Sequence, residues 1–263
     1  MASQRESCCR VCGTDAGLVV EDVPPKSAYN TNPAKVFGLE EWLRPGGKKP
    51  LPGPYTLCPD CIAHVGSWYL PEYQRWAGTA ADAIARGPAD SDLNATPRPS
   101  WTSLELIEVR PARFLKQVVT MLLAIAPADF VAHDNAELAD YVLKPERTGL
   151  SDWYRFYLTL YRGPFARFVG YSARHDVETG RSEQLIELAY PPFSCVLSLD
   201  GDADIEGNDI SGFADLGIDE LCIVDLDLLN GFGHTPFPGD FRTLAAVERD
   251  REAGSQAAGR RAA

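Results

Sequence analysis

Four cysteines stand in two pairs whose spacing is typical of a zinc site, Cys9 with Cys12 and Cys58 with Cys61. In each pair two residues separate the cysteines, so a tight turn can bring both sulfurs to one side of the loop. Two such turns supply the four thiolates of a tetrahedral zinc ion. The spacing therefore predicts a structural zinc site, and the long segment between the pairs becomes an inserted loop.

The choice of ligands has alternatives. Cys8 adjoins Cys9 and could ligate in its place, although Gly13 directly after Cys12 suits the turn better with Cys9. His64, one turn beyond Cys61, is a possible replacement for one thiolate, or a packing or surface residue. A further interpretation is that the two pairs are unrelated reduced turns or a redox pair.

Residues 18–26, Leu-Val-Val-Glu-Asp-Val-Pro-Pro-Lys, follow the first cysteine pair. They resemble the segment Glu-His-Val-Pro-Pro-Lys of HNH-type endonucleases, whose ββα core is held by two Cys-x-x-Cys pairs. The resemblance covers roughly the first 70 residues. It implies a zinc-bound treble-clef or ββα-like lobe that hydrolyses phosphodiester bonds. In that arrangement Glu21 and His64 would hold a catalytic Mg²⁺ or another divalent ion.

Asp22 occupies the position at which the family has its catalytic histidine. Aspartate is a weaker proton acceptor, because its ordinary pKa is about 3.9 against about 6.5 for histidine. One alternative is that Asp22 joins Glu21 around Mg²⁺, which lowers the pKa of its own bound water. The other is that both carboxylates lie at a solvated strand end. The chain is then a catalytically inactive, zinc-stabilised binding or adaptor protein.

Charge is distributed unevenly along the 263 residues. Residues 1–80 hold eight basic and eight acidic side chains, whereas residues 101–250 hold twelve basic and twenty-five acidic ones. Phosphate backbones are attracted to Lys and Arg, so any DNA contact is expected in the first lobe, where residues 44–50 contain a compact group of basic residues. A solvated loop is the commoner interpretation of such a segment. The acidic second domain is expected to repel DNA and to suit a protein partner instead.

The cysteine count and the first residues bear on location. Seven cysteines are an odd number, and residues 1–6 lead into the first cysteine pair without an apolar signal segment. The longest apolar stretch, residues 118–126, is far shorter than the roughly 20 residues that a membrane span requires. These features predict a cytoplasmic protein without a membrane contact.

Composition divides the chain into four parts. Residues 1–78 form the zinc lobe, residues 79–100 are rich in Ala, Asp, Pro and Ser and predict a linker, and residues 101–250 form a second domain. Residues 251–263 predict a disordered tail.

Periodicity in the second domain predicts an α+β fold. A helix is expected from Pro111, ended by Pro127, with an apolar stripe of Phe114, Val118, Met121, Leu122 and Ile125. A second helix is expected from about Asp134 to Leu143. Short aromatic and β-branched runs then predict an antiparallel sheet packed on both helices, with strands near residues 153–161, 165–171, 184–189, 193–199 and 221–229.

Two further groups carry competing interpretations. Trp68, Tyr69, Tyr73 and Trp76 are either a stacking platform for unpaired bases or, as we favour, packing residues of a thin core. Residues 200–209 open like a calcium loop but lack the glycine and the glutamate that such a loop needs further on. We expect a solvated turn there.

Overall fold

A computed structural model shows a mixed α and β protein with four helices and antiparallel sheets among the residues it describes. The coarse fold class is therefore confirmed. The described residues are 8–15, 17–20, 23–25, 35–36, 55–86, 103–127, 129–131, 135–161, 165–175, 182–201, 205 and 207–227.

The helices begin where the sequence supplies a suitable first turn. Their bounds are Pro59–Trp68 (α1), Leu70–Arg86 (α2), Pro111–Ile125 (α3) and Ala136–Leu143 (α4). Proline opens α1 and α3, because its fixed φ suits the first turn and its missing N–H is not needed there. Helix α3 ends before Pro127, as predicted. Helix α4 begins after Asn135, and Asp134 lies outside the described residues.

The strands fall close to the predicted runs. Their bounds are Val19–Val20 (β1), Lys35–Val36 (β2), Tyr55–Leu57 (β3), Ser103–Val109 (β4), Arg155–Leu160 (β5), Phe165–His175 (β6), Ser182–Tyr190 (β7), Phe193–Ser198 (β8), Asn208–Asp209 (β9) and Cys222–Asp227 (β10). A short 3₁₀ helix covers Ser211–Asp215.

A six-stranded sheet in the order β2-β6-β7-β8-β5-β9 forms the larger layer. Its pairs are antiparallel, except that β2 runs parallel to β6. Ile186 lies opposite Leu197, which in turn lies opposite Phe156, so these three side chains share the face that belongs to the main core. Gly170 is required on β6, because a Cβ there would lie 2.2 Å from the Ile125 carbonyl oxygen at the end of α3.

Strand β10 does not belong to this sheet. It pairs with β4 in a separate antiparallel ribbon, with Val224 opposite Leu106. The expectation that the run at 221–229 extends the main sheet is therefore wrong within residues 222–227. Residues 103–109 look like a short apolar stretch in the sequence, and they supply the partner strand.

Helix α3 lies at the centre of the core. The predicted stripe is correct but incomplete, because the helix is buried on nearly every side. Phe114 stacks on Trp76 of α2 with ring centroids 4.0 Å apart and contacts Phe193 of β8 edge to face. These aromatic contacts therefore join α2 to α3, and α3 to the six-stranded sheet.

The buried residue Lys116 on α3 donates hydrogen bonds to backbone carbonyl oxygens at and after the C-terminal end of α4. Its ammonium group donates to the carbonyl oxygens of Tyr141, Lys144 and Arg147, and it lies 3.7 Å from the centroid of the Tyr141 ring. Burial lowers the pKa of Lys116 to about 7. A cation suits this place, because the last carbonyls of a helix carry partial negative charge.

The predicted boundary between lobe and linker falls inside a helix. Helix α2 continues through residues 79–86, and residues 87–100 lie outside the described part of the chain. Cys9, Tyr69 and Phe114 belong to one continuous buried cluster. The division into two domains stays a prediction, as does the tail at 251–263, which is also outside the described residues.

Among the described helices, none combines the length and the apolar character needed to cross a membrane.

Candidate metal centre

The first cysteine pair lies on a tight turn. The Gly13 amide donates to the Cys9 carbonyl oxygen at 2.8 Å, and the Cys9 amide donates to the Thr14 carbonyl oxygen at 2.9 Å. Gly13 has a φ of 72°, a left-handed conformation that glycine adopts without steric cost. This is the role that the sequence predicts for the glycine after Cys12.

The second cysteine pair forms the start of α1. Cys58 is the N-cap residue, Pro59 takes the first helical position, and Cys61 lies in the first turn. The two pairs are joined through β structure, because Val19 of β1 lies opposite Leu57 of β3. The Arg10 amide also donates to the Thr56 carbonyl oxygen at 2.9 Å. Residues far apart in sequence therefore meet at one point.

The four predicted sulfur ligands come together. The Sγ atoms of Cys9, Cys12, Cys58 and Cys61 all lie within 4.8 Å of one another, and the Cys12 and Cys58 sulfurs are 3.7 Å apart. A tetrahedral zinc ion with bonds of about 2.3 Å separates its sulfur ligands by about 3.8 Å. The donor set and its spacing therefore fit a metal such as zinc.

The site favours thiolate formation at Cys9. Hydrogen bonds from the Cys61 thiol and from backbone amides, including the Cys58 amide 3.4 Å from Cys9 Sγ, lower the pKa of Cys9 to about 4. Burial raises the pKa of Cys58, and donation to Cys9 together with burial raises that of Cys61. Because zinc binds thiolates, a zinc ion held here would require Cys58 and Cys61 to give up their protons.

Neither alternative ligand takes part in this cluster. Cys8 is half-buried and is not one of the four clustered cysteines, which include its neighbour Cys9 instead. His64 is also outside the group. Its Nε2 lies 3.2 Å from the Val142 carbonyl oxygen and 3.5 Å from the Tyr69 hydroxyl, which donates to the same carbonyl at 2.6 Å. A carbonyl only accepts, so a hydrogen bond here requires the proton on Nε2.

The other predicted catalytic residues cannot be placed. Glu21 and Asp22 lie outside the described residues, as does the basic loop at 44–50. Whether Glu21 and Asp22 approach His64 therefore stays a prediction.

The aromatic group acts mainly in packing. Tyr69, Tyr73 and Trp76 are buried, which excludes them as a platform for bases, whereas Trp68 is partly exposed with the Arg113 guanidinium 5.5 Å from its ring centroid.

In the acidic loop, the Asp200 carboxylate accepts a hydrogen bond from the Gln184 backbone amide at 2.6 Å. Residues 202–204 and 206 of that loop lie outside the described part of the chain.

Arg10 helps to position the cysteine cluster and was not predicted from the sequence. Arg10, between Cys9 and Cys12, donates from its guanidinium to the Ala124 carbonyl oxygen at 2.9 Å and so ties the first turn to the end of α3. An arginine between two ligands is compatible with a solvated position, and only the fold brings Ala124 near it.

Comparisons with protein-family models, curated proteins and solved structures found no match. The likeness to HNH endonucleases therefore depends on the residues quoted for it, and family membership is not established.

Proposed function

We propose that this chain is a zinc-stabilised binding protein whose HNH-like lobe has lost the nuclease reaction. The observation that carries the proposal is the set of four clustered thiols, three of them buried in the same cluster as α3. Four protein thiolates complete the tetrahedral shell of zinc and leave no position for a water or a substrate. Such an ion stabilises a fold and does not itself catalyse hydrolysis.

The order of elements supports a treble-clef lobe. The first cysteine turn precedes β1, β1 pairs with β3, and α1 follows with the second cysteine pair at its start. These elements are an antiparallel pair of short strands followed by a helix, and the four clustered cysteines connect the first turn to the start of that helix. The arrangement agrees with the ββα core that the resemblance implies.

A binding role agrees with the remaining chemistry. Asp22 replaces the histidine that would activate water, and residues 101–250 carry twenty-five acidic side chains against twelve basic ones. A surface of this charge repels phosphate and attracts basic protein segments. The acidic domain is therefore proposed to make the working contact, with a protein partner.

A metal-dependent nuclease is the second candidate. Its support is the position of His64 on α1, one turn beyond Cys61. With the proton of His64 on Nε2, Nδ1 carries the lone pair that a metal needs. In this candidate Glu21 and His64 bind Mg²⁺, Asp22 acts as the base or a third ligand, and DNA lies along the first lobe.

A cleavage assay separates the two candidates. The zinc-loaded chain is incubated with plasmid and single-stranded DNA in Mg²⁺, Mn²⁺ or Ni²⁺, beside Asp22→Ala, His64→Ala and the matched control Asp15→Ala, which alters an exposed acid of the same lobe. We expect no cleavage that depends on Asp22 or His64. Cleavage that survives in the control and disappears in both variants would establish the nuclease and overturn the binding proposal.

A further inference from the structure

The ribbon of β4 and β10 presents an outer face that combines large aliphatic side chains with carboxylates. Its inner residues, such as Leu106 and Val224, belong to the core. We call the exposed side the outer ribbon face, and it consists of Ser103, Glu105, Ile107, Glu108, Ile223, Asp225 and Asp227.

An irregularity in the ribbon creates this face. The register shifts between Cys222 and Val224, so Ile107 and Glu108 together lie opposite Ile223. Glu108 adopts a φ of 53°, a left-handed conformation that is sterically unfavourable for a residue other than glycine. The Arg75 guanidinium holds the bulge by donating to the carbonyl oxygens of Ile107 and Glu108 at 2.8 and 2.6 Å.

The bulge leaves apolar surface in water. Ile107 is 54% exposed and Ile223 is 67% exposed, while Leu221 directly before β10 is 53% exposed. Single exposed aliphatic residues are common, but Ile107 and Ile223 lie in one short ribbon and Leu221 directly precedes it, so exposed apolar surface is concentrated here. Bulges frequently re-aim side chains near functional sites, and this bulge brings Ile107 beside Ile223.

The charges on the same face are uncompensated within the ribbon. Glu105 lies directly opposite Asp225, and Asp227 lies opposite Ser103. Neither strand contains a Lys or an Arg. Like charges directly opposite each other destabilise a strand pair, so the ribbon carries a cost that a cationic partner would relieve.

We propose that the outer ribbon face docks a basic segment of a partner protein, in which Lys or Arg residues flank a large aliphatic side chain. The inference rests on the proposed binding function and assigns its surface. A metal cation would neutralise the carboxylates but leave the isoleucines in water, and a nucleic acid would meet four carboxylates. A basic segment with an apolar residue at its centre satisfies both features.

Peptide binding to the full zinc-loaded chain tests the assignment. The probe is a labelled acetyl-Lys-Ile-Arg-Leu-Lys-Ile-Arg-amide, with acetyl-Glu-Ile-Glu-Leu-Glu-Ile-Glu-amide as the charge-reversed control, measured by fluorescence anisotropy. We expect binding of the basic peptide alone, weakened by added salt. Ile107→Ser with Ile223→Ser, and Glu105→Gln with Asp225→Gln, should each weaken it about tenfold.

A matched control uses another exposed site. Asp152→Asn with Trp153→Ser alters an exposed acid and a 60% exposed aromatic residue, and should leave affinity within about twofold. Urea unfolding of every variant checks that the fold is retained. No binding, or equal binding by wild-type and ribbon variants, would overturn the assignment of this surface. Self-association that only the ribbon variants lose would assign the surface to a second copy and overturn the basic partner.

The two proposals fail separately. Asp22-dependent cleavage of DNA overturns the binding function whatever the peptide does, whereas peptide binding that ignores the ribbon substitutions overturns only this surface.

Discussion

Replacing Cys58 with serine is expected to lower the free energy of unfolding by about 4 kcal/mol or more. Cys58 supplies one of four clustered sulfurs at the N-cap position of α1, and its backbone amide donates to the Cys9 sulfur. Serine is a poor zinc ligand, so Cys58→Ser loses metal affinity that is coupled to folding. Urea unfolding of the zinc-loaded protein, followed by circular dichroism, measures the change.

Cys8→Ser is the matched control for this result. Cys8 adjoins a ligand but lies outside the cluster, so its replacement should change stability by less than about 0.5 kcal/mol. Equal loss in both variants would mean that Cys8 is a ligand and that the register of the first turn is wrong. Unchanged stability in Cys58→Ser would show that the thiols do not hold a structural ion.

Trp76→Ala is expected to destabilise the protein by about 3–5 kcal/mol. Trp76 is fully buried, stacks on Phe114 of α3 and donates from Nε1 to the buried Glu72 carboxylate at 3.0 Å. Alanine leaves a cavity between α2 and α3 and removes a hydrogen bond from a buried charge. Denaturant unfolding followed by tryptophan fluorescence and by circular dichroism gives the loss.

Trp153→Ala serves as the control, since Trp153 is largely exposed and its removal should cost little. Because one buried cluster contains Cys9, Trp76 and Phe114, we also expect Trp76→Ala to weaken zinc retention. A variant that loses stability in the sheet but holds zinc as tightly as wild type would indicate two independently folded units.

Local signals in the sequence predict the parts of this fold that local chemistry controls. The Cys-x-x-Cys spacing identified all four cysteines of the cluster, because that spacing is set by turn geometry and is typical of metal sites. The helix from Pro111 to Ile125 was predictable because a proline stands at its first position and Pro127 follows two residues after its last one. Strand positions followed from aromatic and β-branched runs.

Long-range pairing was beyond these signals. Strand β10 resembles the other strands in composition, and only its pairing with β4, more than a hundred residues away, shows that it forms a ribbon of its own. The burial of Lys116 is similar, since a lysine on a helix is normally solvated, and only the fold brings the carbonyl oxygens of Tyr141, Lys144 and Arg147, at and after the end of α4, around its ammonium group. The contact of His64 with Val142 likewise depends on the packing of α1 against α4.

X-ray absorption at the zinc edge tests the central claim most directly, namely that the four sulfurs share one ion. For protein purified without added chelator, we predict about one zinc per chain and a shell of four sulfurs at about 2.3 Å. A shell containing nitrogen or oxygen ligands, or a chain that keeps its fold without bound metal, would contradict the account.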